Sequence, residues 1–337
     1  MDLVQDPPSR NVVGIGRLCT DTYFAVDHTG SRQDSKKWSG REFAQAYGGS
    51  VPRALAAASG FPGVTCSLVA ALSTEDLAKG AISEELSSSG VRLIPIPSDR
   101  SAKSQVYLDS SSGALKLIIS GADVPQSVDE TILRLTELDS SQAGIDALIF
   151  DCRQTEAVKA ALGYFAKTSN RPPIFSLFDP GTSGFQANPN DAIELARASS
   201  AIVAGEEYFS HFGLSRDDVM GGRLGSKGIC VATWWDGSVS AVTARFSATI
   251  PSRKIRPRGS SMGAGDVFRG FFLGELLRAP RSDWGTESTI VDALRVAQAA
   301  ASLRIESQEW KPIAPALDEV RNRQRIWHLE DLEDGKA

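Results

Sequence analysis

At 337 residues, with 42% hydrophobic and 23% charged residues, 30 Gly and 16 Pro, the sequence has the balance of a folded globular protein, neither disordered nor fibrous. A net charge of -5 gives no general attraction to phosphate backbones, which argues against a nucleic-acid partner, and no run approaches the ~20 apolar residues that cross a bilayer. Cys19, Cys66, Cys152 and Cys230 form no CxxC or metal-ligand spacing, and the N-terminal MDLVQDPPSR lacks a secretory pattern, so the expectation is reduced thiols in a cytoplasmic protein.

Asn11–Gly16 (NVVGIG) is a short apolar run closed by glycine and predicts a buried strand. From Asp21 to Tyr47, apolar patches alternate with polar residues, as in a small sheet with one wet face. Gly48-Gly49 precedes the helical run VPRALAAASG, which ends at Gly60, and TCSLVAAL follows as a second buried strand. A helix from Glu75 to Ser89 leads to Gly90. RLIPIP and SQVYLD…ALKLII then read as hairpin strands that pair with the Asp21–Tyr47 region in one lid. From Val124 onward helices alternate with the apolar strands ALIFDC (147–152), PIFSLFDP (173–180) and AIVAG (201–205). That rhythm argues for a mostly parallel sheet with helices on both faces and ligands beyond the carboxyl ends of the strands.

The stretch RGSSMGAGDVFRGFFLGELLR, from Arg258 to Arg278, carries the chemistry. Gly263-Ala264-Gly265 lets successive backbone N–H groups point one way, and Val267, Phe268, Phe271, Phe272 and Leu276 then recur at helical spacing. A glycine-rich turn therefore opens a buried helix, and its free amides and macrodipole suit a phosphate. Asp266 beside such a site would repel phosphate, yet it is well placed to take a proton from an attacking hydroxyl. From this stretch alone, Asp266 also reads as a favourable first-turn carboxylate beside glycines that only pack the helix.

SSMGAGDVFRGFF resembles the C-terminal signature of the PfkB (ribokinase-like) carbohydrate kinase family, usually close to DTTGAGDxFxxGF, with Ser260, Ser261 and Met262 in place of Asp-Thr-Thr. The resemblance implies a ribokinase-like three-layer α/β/α fold, with the main domain over 10–20, 46–90 and 122–330 and a small β-sheet lid over 21–45 and 91–121. It implies an ATP-dependent kinase for a hydroxyl of a small sugar-like substrate. Asp266 would be the catalytic base, and the amides of Gly263, Ala264 and Gly265 the anion hole for the γ-phosphoryl group. Gly16-x4-Asp21 matches the family's first-strand element, so Asp21 is expected to hold acceptor hydroxyls, the alternative being a solvated turn aspartate. Gly48-Gly49-Ser50-Val51-Pro52-Arg53 resembles the element Gly-Gly-Asn-x-x-Asn with both asparagines changed. Gly48, Gly49, Ser50 and Arg53 are thus substrate-side candidates. Arg53 would meet an anionic substrate group, a lid carboxylate, or solvent on a helix surface. DCR (151–153) resembles the DxR element of members that act on ketoses, which brings in Arg153.

On the nucleotide side, LGSKG resembles the family's LGxKG turn and points to Gly225, Lys227 and Gly228. AQAAASLRI resembles the helix lining the adenine pocket and points to Ala297 and Ala300. The family's Asn-x-x-Glu motif, which organises Mg2+, aligns with Ala204 and Glu207, making Glu207 the metal candidate unless Glu206 and Glu207 merely start a helix. Family lids also pair subunits, which implies a homodimer through the lid. Two other functions stay open: a nucleoside kinase in which Tyr23, Phe24 and Tyr107 stack on the acceptor instead of packing the lid, and a sugar-binding regulator without turnover, suggested by Ser50, Arg53, Met262 and Ala204. GIGRLC lacks the third glycine of a dinucleotide fingerprint, no GxxxxGK[ST] loop occurs, and His28, His211 and His328 are scattered. A Rossmann dehydrogenase, a P-loop enzyme, a hydrolase triad and a zinc enzyme are therefore unsupported.

Overall fold

The computed structural model describes residues 9–27, 39–140, 144–168, 173–181, 184–222, 228–258 and 260–333. In chain order its strands are β1 (Arg10–Ile15), β2 (Cys19–Asp27), β3 (Ser39–Gly48), β4 (Val64–Ser73), β5 (Val91–Ser98), β6 (Ala102–Asp109), β7 (Leu115–Ser120), β8 (Ala147–Asp151), β9 (Phe175–Asp179), β10 (Ala201–Gly205), β11 (Ile229–Thr233), β12 (Val239–Val242) and β13 (Ser247–Ile250). They form a nine-stranded sheet, ordered β13-β12-β11-β10-β9-β8-β1-β4-β5, and a four-stranded sheet, ordered β3-β2-β6-β7. The large sheet is parallel from β5 to β11, and β12 and β13 close it antiparallel.

The apolar strands of the sequence become the centre of the large sheet because both of its faces are covered. Successive side chains point to opposite faces, so Val12, Leu68, Ile149 and Leu177 join one core, and Val13, Val69, Phe150 and Phe178 join the other. The first core packs against the helices Ser50–Ala58, Ala264–Arg278 and Glu287–Glu306. The second packs against Thr155–Lys167 and Pro189–Ala198.

The expected lid strand RLIPIP is instead β5, parallel to β4 in the large sheet. Its alternation arises because β5 is the terminal strand of that sheet and leaves part of one face uncovered. The small sheet is built from β2, β3, β6 and β7, so the 91–98 part of the expected lid belongs to the main body.

The Ala264–Arg278 helix is buried almost all round, and it lies tightly against the Ser50–Ala58 helix. A Cβ on Gly270 would stand 2.2 Å from the Ala54 carbonyl oxygen. This contact brings Arg53, on the first helix, to Asp266, at the start of the second.

Candidate active site

The carboxyl ends of β8, β9 and β10 and the N-termini of those two helices converge with the first residues of β2. Asp266 lies in the first turn of its helix and is 9% exposed. Burial pushes its carboxyl up to about 6, while Arg53 and Arg269 hold it down. Arg269, one turn on, sits 3.3 Å from one Asp266 oxygen and 2.9 Å from Asp179. Arg53 is 3.8 Å from the other Asp266 oxygen.

Gly263 takes the left-handed conformation, φ 80°, that lets the turn enter the helix without strain. The Ala264 amide donates to the Ser261 carbonyl at 3.1 Å, so the expectation that Ala264 belongs to the anion hole is corrected. The amides of Gly263, Gly265 and Asp266 have no acceptor among the described residues. The available donors are therefore shifted by one residue, with the Asp266 amide in place of Ala264's.

Two of the departures from the family pattern have visible packing. Ser260 is buried and its Oγ accepts from the Met262 amide at 3.1 Å. Met262 joins Tyr23, Ala46, Val106 and Leu108 in an apolar cluster beneath the small sheet. The cluster also receives Trp310, whose ring meets Tyr23 at 4.7 Å and Phe43 at 5.3 Å. Two residues later Pro312 lies over the turn, since a Cβ on Gly263 would stand 2.4 Å from its Cβ.

Asp21 is 5% exposed on β2, which removes the solvated-turn reading. Its carboxylate fills the space that a side chain on Gly48 would occupy, 2.3 Å from the position of the missing Cβ. Gly49 has φ 112°, and a Cβ there would meet the Arg17 carbonyl at 2.1 Å, so only glycine fits. Cys19 Sγ donates to Asp21 at 3.3 Å, and Arg53 Nη2 donates to the same carboxylate and to Tyr23 Oη at 3.3 Å. Of the three readings of Arg53, the carboxylate on the small sheet is the partner in this structure, and the surface-helix reading is corrected. Burial alone would weaken the Arg53 charge, but Asp21, Tyr23 and Asp266 hold it in place.

Ser50 Oγ donates to Asp151 at 3.4 Å. Asp151, the aspartate of the DCR element, was given no role of its own from the sequence, although it ends an apolar strand at the carboxyl edge. Burial pushes it up to about 7. The Arg153 amide opposes that shift and Asp179, its register partner on β9, adds to it. The Arg153 guanidinium donates to Asp123 at 2.8 Å, so Arg153 approaches Asp151 through its backbone.

Of the nucleotide-side expectations, only those on described residues meet the structure. Gly225 and Lys227 lie outside the described residues. Gly228 precedes β11, where a Cβ would meet the Ser200 carbonyl at 2.0 Å, and so lies at the amino edge of the sheet, opposite Asp266. The turn that does follow β11 at the carboxyl edge is Trp234–Ser238, with Gly237 at φ 81° and the Trp235 amide donating to Glu206 at 2.8 Å. Ala297 and Ala300 have no exposed surface and pack within the core, where small side chains allow the helix to approach its neighbour. Gln298 between them donates to the Gly237 carbonyl at 3.1 Å and fixes that turn.

Glu207 folds its carboxylate back against Gly205 at the end of β10, while Ala204, in the place of the family's asparagine, is buried in the core. No group of three His, Cys, Asp or Glu side chains able to hold a metal occurs among the described residues. Mg2+ commonly takes one or two carboxylates plus phosphate oxygens, so a lone Glu207 at the carboxyl edge fits an ion brought in with a nucleotide.

No family model and no curated protein matches the sequence. Among solved structures, ribokinase from Giardia lamblia superposes with TM-score 0.72 at 17% identity, covering 94% of this chain and 100% of that one. The nucleoside kinase of Methanocaldococcus jannaschii gives 0.66 at 16% identity, covering 95% and 99%. Ribokinase from Cryptococcus neoformans, solved in complex with ADP, gives 0.62 at 17% identity, covering 94% and 100%. The chain therefore has the ribokinase-like fold, over nearly its whole length. No helix among the described residues is long and apolar enough to cross a membrane.

Proposed function

We propose that this chain is an ATP-dependent kinase that phosphorylates a hydroxyl of a small sugar-like acceptor, with Asp266 as the base. One observation carries the reading: a buried carboxylate stands in the first turn of a helix beside three amides without acceptors, across from a second buried carboxylate, Asp21. The acceptor hydroxyl gives its proton to Asp266 as it attacks, and the Gly263, Gly265 and Asp266 amides offset charge on the moving phosphoryl group. ATP supplies that group, and Glu207 holds Mg2+ against its phosphates. Arg53 bridges Asp21 and Asp266, which keeps both carboxylates aimed at one point.

The small sheet acts as the lid over the acceptor. Its outer strand β7 exposes Leu115, Leu117, Ile118 and Ile119, which supports pairing of two copies through that sheet. Of the aromatic candidates for stacking on a base, Tyr23 is fully buried against Trp310, which favours a sugar over a nucleoside, and Phe24 and Tyr107 stack on each other at 5.0 Å.

The test is ADP release over sugars, sugar acids, sugar phosphates and nucleosides, with Asp266→Asn as the blank. Turnover that needs Asp266 is expected for at least one acceptor. Sugar binding without ADP release, or full turnover in the variant, would reject the reading.

A further inference from the structure

Arg304 lies in the last turn of the Glu287–Glu306 helix and is the largest fully buried side chain among the described residues, 1% exposed. Its Nε, Nη1 and Nη2 all lack a hydrogen-bond partner. The neighbouring arginines of the site are paired: Arg53 with Asp21, Arg269 with Asp179 and Asp266, Arg17 with Asp123. An unpaired guanidinium out of water is strongly unfavourable, and the carbonyl end of a helix offsets only a small part of that. The missing counter-charge therefore comes from outside the chain.

The position of Arg304 indicates which molecule brings it. The groups within electrostatic reach are Arg53 and Tyr23, which line the acceptor side with Asp21, together with Glu309. Arg304 also lines a cavity of about 600 Å³ with Leu303, Ser307, Glu309 and Arg323. A planar fork of N–H donors matches the paired oxygens of a carboxylate, phosphate or sulfonate.

We propose that Arg304 seats an anionic group of the acceptor, so that the kinase acts on a sugar acid, sugar phosphate or sugar sulfonate and not on the neutral sugar. The inference rests on the kinase reading for its substrate, but not for the existence of the anion site. Arg53, already committed to Asp21, sets the distance between that site and the reacting hydroxyl.

Two experiments test it. First, thermal denaturation is followed with inorganic phosphate, and with chloride at matched ionic strength, in the presence of a non-hydrolysable ATP analogue that fills the amide cradle. Phosphate is expected to raise the Tm of the parent chain, to do so less in Arg304→Lys, and to have no effect in Arg304→Gln. Equal stabilisation of all three chains, or of none, overturns the site. Second, ADP release is compared for matched pairs, D-fructose against D-fructose 6-phosphate and D-glucose against D-gluconate. An anionic member is expected to be preferred, and Arg304→Gln to lower its kcat/KM on the order of a hundredfold with KM for ATP unchanged. A rise confined to KM for ATP would assign the guanidinium to the nucleotide and overturn the acceptor proposal. If no acceptor gives ADP release dependent on Asp266 while phosphate still acts through Arg304, the kinase reading fails and the anion site stands.

Discussion

With Asp266 as the proposed base, Arg269 should set the pH range over which it works, and removing Arg269 gives a quantitative test. A base must be ionised, so kcat/KM should fall as pH drops through the Asp266 pKa, about 6. The Arg269 guanidinium lies 3.3 Å from the carboxylate with both groups mostly shielded from water. At an effective dielectric of about 20 that charge acts with about 5 kcal/mol, and measured effects of such neighbours are about 1–3 pH units. Taking the lower end, about 1.4 kcal/mol, Arg269→Gln moves the acid limb from about 6 to about 7. The rate at pH 6 then falls roughly fivefold relative to its plateau, while the rate at pH 8 changes little. The assay is kcat/KM against pH with the best acceptor of the ADP-release screen. Loss of the Asp179 partner lowers stability as well, but it scales the whole profile and does not displace its limb. An acid limb at the same pH in both chains would refute the assignment of Asp266 as the titrating base.

Asp151, lifted to about 7 by burial, lies above the ~3.9 of an unfolded aspartate, so the folded chain keeps a proton that the unfolded chain releases between those values. Its contribution is full below pH ~4 and is lost as pH rises through about 7. Asp151→Asn should therefore raise stability at pH 8 by about 2 kcal/mol and flatten the change between pH 5 and 8, read as urea midpoints; an unchanged pH dependence would show that Asp151 is ionised in the fold. Gly270→Ala forces a methyl group against the Ala54 carbonyl and should cost about 2–3 kcal/mol, seen as a lower urea midpoint; an unaltered midpoint would contradict the close contact of the two helices.

Most of the large sheet was legible in the sequence because its strands are continuous apolar runs, a pattern that burial on both faces demands. Asp266 and Asp21 were legible through motifs whose residues are neighbours in sequence. What escaped depends on register or on distant partners. LGSKG looks like a nucleotide turn, but its last residue, Gly228, stands at the amino end of β11, away from the carboxyl edge. RLIPIP alternates like a lid strand because it is the terminal strand of the large sheet. The small residues Ala297 and Ala300 suit a ligand wall and a helix contact equally, and the core claims them. Arg53 gave no sign of which carboxylate it would meet, since Asp21 is brought to it only when β2 folds over the Ser50–Ala58 helix. Arg304 sits in a helical run of small and apolar residues, where an arginine is easily taken for a surface position.

The chain just past the Glu287–Glu306 helix behaves as a strap fastened at two points. Trp310 is wedged among the aromatic rings of the small sheet, and Pro312 presses on the glycine that begins the Asp266 helix. Only one residue separates the two anchors, too little slack for either to move alone. Swinging the small sheet outward must either pull Trp310 from its slot or lift Pro312 from Gly263. In the proposed kinase, uncovering the acceptor and loosening the seat of the phosphoryl group would thereby be a single mechanical event.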